Sequence, residues 1–154
     1  MTLKRKTPLK KVRAKPRRVL ESCAMRGCRK PPRYAGYCAS HATERADAAF
    51  ATVIKERDGR CVPREMFPSI ACNGNLQTMH LISRRYKAVR WDLDNAVAGC
   101  QAHHLYLTIH PLEHDDWCER RLGATAWYKL KQRALRGPVP DIGMVIERLR
   151  QGAA

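Results

Sequence analysis

Between Ala42 and Ile54 apolar side chains return at Ala42, Ala46, Ala49, Phe50, Val53 and Ile54, the spacing of one helical face. This pattern predicts a helix over 42–58, with Gly59 placed to end it. Beyond it the period changes. "LQTMHLI" and "NAVAG" are short strand-like runs on either side of a basic loop, Ser83 to Asp94, and Cys100 to Leu107 suits a short helix. The tail reads as helical from about Glu113, broken at Gly123, resumed through Arg136 and, after "GPVPDIG", helical again to Arg150. Residues 1–20, "MTLKRKTPLKKVRAKPRRVL", carry no sustained apolar period and should form an extended, disordered arm. The class this predicts is α+β. Its expected parts are the arm at 1–20, a Cys/His module at 21–41, a linking helix at 42–58, a core at 59–112 and C-terminal helices at 113–154. No internal repeat is evident.

Length and charge narrow the reading. A chain of 154 residues allows one modest domain, or two small ones whose cores are too thin to stand without a cross-link or a metal. Thirty Lys and Arg against 14 Asp and Glu give a net charge of +16, which points to a polyanionic partner, nucleic acid first. The arm would contact phosphates without sequence preference, or serve only as a solubilising tail. No apolar run approaches the roughly 18 residues a membrane crossing needs, and no apolar segment follows the N-terminal charges. The expectation is therefore a soluble, cytoplasmic protein with no membrane partner. In a reducing compartment spaced Cys and His more often hold zinc than form disulfides, and seven cysteines leave one without a partner. No heptad pattern indicates an oligomeric state.

Two clusters fit zinc. "CAMRGCRKPPRYAGYCASH" supplies Cys23, Cys28, Cys38 and His41 as two short ligand pairs joined by a loop, with Gly27 and Gly36 where tight turns need them. All four positions of a tetrahedral site are filled by protein, which implies a structural ion that supplies much of the segment's folding energy. The plainer alternative is a set of buried thiols. Farther on, Cys100 and His103 lie three apart and share a helical face, while the adjacent His104 diverges from His103 by roughly 100°. Neighbouring histidines would then serve two sites. Cys61 and Cys72 are available to complete a second Cys3His set, but the insertion "PREMFPSI" between them would have to bulge out. If Cys61 is an ordinary core thiol, that site is incomplete. One or two structural zinc ions are expected.

"LQTMHLISRRYKAVRWDLDNAVAGCQAHH" resembles the core of phage-type HNH endonucleases and is also similar to the lambda-type NinG recombination proteins, over approximately Arg57 to Leu135. The family's three signature positions fall on His80, Asn95 and His104. Asn95 is followed by a cysteine five residues on, a metal-capable histidine eight on and a further histidine nine on, as in the family's strand-to-helix half. The resemblance implies a ββα-metal core: a strand delivering His80, a loop carrying Asn95 and a helix carrying His104. It implies hydrolysis of DNA phosphodiesters with one divalent cation, Mg2+, Mn2+ or another. His80 would be the general base, Asn95 would orient that base or brace the loop, and His104 would hold the cation. Arg84, Arg85, Lys87 and Arg90 of the basic loop would then lie beside the scissile phosphate and bind the DNA backbone. Phage recombination or DNA packaging in a host cytoplasm is the implied setting.

The chain departs from the family at Met79, where members often carry a second ligand, because a thioether is no donor for a hard cation. Asp92, Asp94 and His110 are the candidates to assist His104. His110 and His114, beside Pro111 and Asp115, read otherwise as helix-start residues, and Cys118 as a small buried apolar side chain. Tyr86 and Trp91 would stack on a base or simply pack. Met79 is also the feature that favours a rival reading, a non-catalytic zinc-containing adaptor that binds DNA. An RNA-binding zinc protein is a further alternative.

Overall fold

A computed structural model describes residues 21–152; the arm expected over residues 1–20 lies outside them. The first helix, α1, spans Ala39–Asp58 and begins three residues before the apolar period marks it, because Cys38 is its N-cap. His41 therefore belongs both to the Cys/His module and to the first turn of α1. Gly59 ends the helix in the left-handed region at φ 62° and donates its N–H to the Lys55 carbonyl.

α1 is a central element and not a linker. Ala42, Ala46, Phe50 and Ile54 are buried, and they pack with Trp91, Ala96 and Ala98 and with Val145, Ile146 and Leu149 of the last helix, α5, Ile142–Gln151. The alanines at 42 and 46 let the two helix axes approach closely. α5 starts at Asp141, whose carboxylate accepts from the Met144 N–H at 3.0 Å.

The expected strands are β1, Gln77–His80, and β2, Ala96–Gly99, an antiparallel pair in which His80 faces Ala96 and Met79 faces Val97. Their alternation divides the molecule. Ala96 and Ala98 point toward α1, whereas Met79 and Val97 point into a second core with Leu107, Trp117, Cys118, Trp127 and Leu130. That second core belongs to α2 (Gln101–Ile109), α3 (Pro111–Leu122) and α4 (Ala124–Arg136). The two-stranded sheet is thus covered on both faces, and the fold is α+β.

The outer edge of β2 is closed by the last turn of α1. Arg57 donates to the Leu93 and Ala96 carbonyls at 2.8 Å each, and the Asp58 carboxylate accepts the Ala98 N–H at 2.7 Å. These side chains supply the bonds that a third strand would have made. The Asp58 carboxyl is held below its ordinary value: burial pushes it up, but the bonds from Arg57 and the Ala98 N–H outweigh that. Among the described residues no helix is long and apolar enough to cross a membrane.

Candidate metal centres and a histidine-lined cavity

Both Cys/His sets close. Cys23, Cys28, Cys38 and His41 form one cluster and Cys61, Cys72, Cys100 and His103 the other, each with its ligand atoms within 4.8 Å of one another. Two sulfurs each about 2.3 Å from a shared tetrahedral centre stand roughly 3.7 Å apart, and a nitrogen comes slightly closer. The contacts fit that spacing. Cys28 and Cys38 sulfurs are 3.9 Å apart, and His41 Nδ1 lies 3.2 Å from Cys23 and 3.5 Å from Cys38. In the other set His103 Nδ1 lies 3.1 Å from Cys100 and 3.8 Å from Cys72. Each arrangement could hold a zinc ion.

The clusters share a half-site of one spacing, a cysteine followed three residues on by a histidine. In each, the third cysteine is a helix N-cap and the histidine sits one turn later: Cys38 with His41 on α1, Cys100 with His103 on α2. In each, the N–H of that capping cysteine also donates to the first cysteine's sulfur, Cys38 to Cys23 at 3.3 Å and Cys100 to Cys61 at 3.2 Å. Helix N-termini favour thiolates, so the placement prepares both sites for a cation. At Cys100 burial pushes the thiol up, but hydrogen bonds from the His103 and Asn73 regions outweigh it and bring it down to about 6. At Cys61 burial, reinforced by Cys100, pushes the thiol up to about 11. A divalent cation between the sulfurs would relieve that conflict.

The "PREMFPSI" insertion does not bulge out as expected. It turns through Val62–Glu65 and returns Met66 and Phe67 to the second core. His103 Nε2–H donates to the Phe67 carbonyl at 3.1 Å, which leaves Nδ1 as the lone pair directed at the sulfurs.

The adjacent His104 turns away from this cluster. It lines a cavity of about 820 Å3 together with His80, Thr78, Arg84 and His114, while Asp47 and Phe50 of α1 form the facing wall. All four β1 residues contribute, so the cavity runs along the edge of the sheet that β2 leaves unpaired. His104 Nδ1–H donates to Gln77 Oε1 at 3.2 Å, which frees Nε2. His80 Nε2–H donates to the Arg90 carbonyl at 2.9 Å, which frees Nδ1. Burial holds the pKa of both rings, and of His114, below the ordinary histidine value, and His104 adds to the effect at His114. Near neutrality His80 is therefore an uncharged acceptor.

Asn95 is fully buried and lies apart from the His80 ring in hydrogen-bonding terms. Its Nδ2 donates to the Ile82 and Val89 carbonyls at 3.0 and 2.9 Å, and its Oδ1 accepts the Ile82 N–H at 2.7 Å. It clasps both ends of the basic loop, and through Val89 it fixes the neighbouring Arg90 carbonyl that holds His80. Asn95→Ala should leave three backbone groups without their partner, the Val89 carbonyl buried and the two of Ile82 partly so, costing roughly 3 kcal/mol and lowering Tm by about 10 °C in a thermal melt. An unchanged Tm would remove this bracing role.

The loop's charges divide. Arg84, Arg85 and Lys87 are exposed. Arg90 is not free for a backbone phosphate, because its guanidinium binds the Asp47 carboxylate in bidentate fashion at 3.0 and 2.6 Å. The Trp91 indole N–H adds a third bond to Asp47 at 2.9 Å. Burial pushes the Asp47 carboxyl up, but these bonds outweigh it and hold it below the ordinary value. Trp91 is buried and Tyr86 packs against the second core.

None of the three candidates to assist His104 reaches the cavity wall. Asp92 binds Arg133 at 2.8 Å, and Asp94 is exposed beside the same arginine. His110 stacks on the Tyr106 ring at 4.1 Å, and its Nδ1–H donates to the Tyr106 carbonyl at 2.8 Å. Met79 is only 2% exposed, in the core. Sequence reasoning missed Asp47, Gln77 and the Phe67 carbonyl, and preferred a helix-start role for His114. No protein-family model, curated protein or solved structure matched the chain.

Proposed function

We propose that the cavity is the active site of a metal-dependent HNH-type endonuclease that hydrolyses DNA phosphodiester bonds, built on a ββα-metal core of β1, β2 and α2. The observation that carries this reading is the meeting of His80 and His104, each with one ring nitrogen spent on a protein oxygen and the other left free, in a cavity bordered by Arg84. His80 is the general base: its neutral Nδ1 takes a proton from water as that oxygen bonds to phosphorus and the opposite P–O bond breaks. Arg84, Arg85 and Lys87 hold the phosphate backbone, which positions DNA without reading its sequence. His104 Nε2 is an imidazole donor for a divalent cation, which when bound would neutralise charge developing on the phosphate and leaving oxygens. Asn95 and Asp47 keep the loop, and so His80, in place.

A non-catalytic DNA-binding adaptor is the second reading, and the burial of Met79 favours it, since no ligand stands before His80. Incubation with supercoiled plasmid and Mn2+, Mg2+ or Ni2+ separates the two: nicking supports the nuclease, and DNA binding without nicking in any cation supports the adaptor. Where cleavage occurs, its rate should fall as pH drops and His80 takes up a proton, with the midpoint of that fall below the ordinary histidine value of 6.5, because burial lowers His80 from it. A rate still climbing tenfold per unit above neutrality would exclude His80 as the titrating base.

A further inference from the structure

The cavity contains a third imidazole that the proposed mechanism leaves unused. His114 is the fourth residue of α3, which Pro111 opens directly after His110 caps α2, and its side chain lines the same cavity as His104. Among the described residues its ring nitrogens have one hydrogen-bonding neighbour, the Cys118 sulfur, 3.6 Å from Nε2 and 4.0 Å from Nδ1. A sulfur at that range is a weak partner. Neither ring nitrogen of His114 is thus bonded to a protein oxygen, whereas His80, His103, His104 and His110 each commit one N–H to such an oxygen.

The neighbouring donors are already committed. The Asp47 carboxylate in the facing wall carries three bonds from Arg90 and Trp91, and the residue before His80 is a core methionine. We propose that His114 is the second protein ligand of the divalent cation held by His104, occupying the place left empty at position 79; this rests on the nuclease reading of the cavity. The chemistry of the ligand set follows. Two imidazoles without a free carboxylate suit Ni2+, Zn2+ or Fe2+ better than Mg2+, which seeks oxygen donors.

Calorimetric titration of Ni2+ and of Mg2+ into the full, zinc-loaded chain tests this, with zinc content measured afterwards to show that the thiolate clusters are intact. The wild type should bind one Ni2+ at least about 100-fold more tightly than Mg2+. His114→Ala should weaken Ni2+ at least about tenfold, and His110→Ala should leave it unchanged. His114→Asp should narrow the Ni2+ preference over Mg2+, because it trades an imidazole for a carboxylate. That change of preference is one a merely structural role would not produce, and it serves if His114→Ala does not fold. Wild-type Ni2+ affinity in His114→Ala, with affinity lost in His104→Ala, overturns this ligand and leaves the nuclease reading standing. An unchanged preference in His114→Asp does the same. Absence of Ni2+ binding in a wild-type chain that still nicks DNA also overturns the ligand alone, whereas absence of both binding and nicking removes both.

Discussion

On the nuclease reading, a His80→Ala chain should nick plasmid about a thousandfold more slowly than wild type, within the range expected for losing a general base, while binding DNA with the same affinity. The expectation follows from how the ring is held. Its Nε2–H is committed to the Arg90 carbonyl, so Nδ1 is the only lone pair it can offer, and burial keeps it uncharged at neutral pH. DNA affinity should survive because Arg84, Arg85 and Lys87 are untouched and exposed. The ring also contacts Phe50, with centroids 5.6 Å apart, so the variant's zinc content and Tm belong beside its rate. Added imidazole should enter the space vacated by the side chain and restore part of the activity, which a purely architectural histidine would not allow. Equal nicking by wild type and variant would strip His80 of its role.

Metal removal should have the larger effect on stability. Elemental analysis should return two zinc atoms per chain, and a strong chelator should unfold the protein or lower its Tm by more than about 15 °C, because structural zinc contributes on the order of 10 kcal/mol where total stability is 5–15 kcal/mol. Cys38→Ser and Cys100→Ser should each reduce the count to about one. Their consequences should differ. Cys100 caps α2 and its N–H bonds Cys61, so losing that site releases the start of the helix that carries His104. Losing the Cys38 site frees the start of α1, some distance from the cavity. A count of one zinc that Cys100→Ser leaves unaltered would reduce the second cluster to ordinary thiols. Because sulfur and imidazole ligands must be deprotonated, acidification should release both ions, with stability falling as pH falls.

Much of this architecture was legible in the residues, for identifiable reasons. The apolar face of α1 was visible because its spacing follows the helical period, and the two strands were visible because short apolar runs flank a basic loop. The divergence of His103 from His104 followed from the turn per residue of a helix. The misses share a different cause. Asp47 is an unremarkable acidic position on α1 until a chain segment more than 40 residues later delivers Arg90 and Trp91 to it. Phe67 contributes through its carbonyl, which no side-chain pattern announces. Six residues separate His110 from His104 in sequence, but His110 caps α2 and Pro111 opens α3 directly after it. The ring at the junction turns onto Tyr106, and the one four residues farther on reaches the cavity. An Asp or Glu on the polar flank of a buried helix, opposite an Arg-Trp pair, is the signal that would have found Asp47.

The continuity of α1 has a metric consequence. His41 at one end belongs to a Cys/His cluster that could hold a metal and Phe50 to the cavity wall, and nine residues of helix set them about 14 Å apart along the axis. On a nuclease reading, that is the length of roughly four base pairs of duplex. Any grip exerted by the first cluster on a bound duplex would thus fall at a fixed offset from the point of scission, as marks on a ruler.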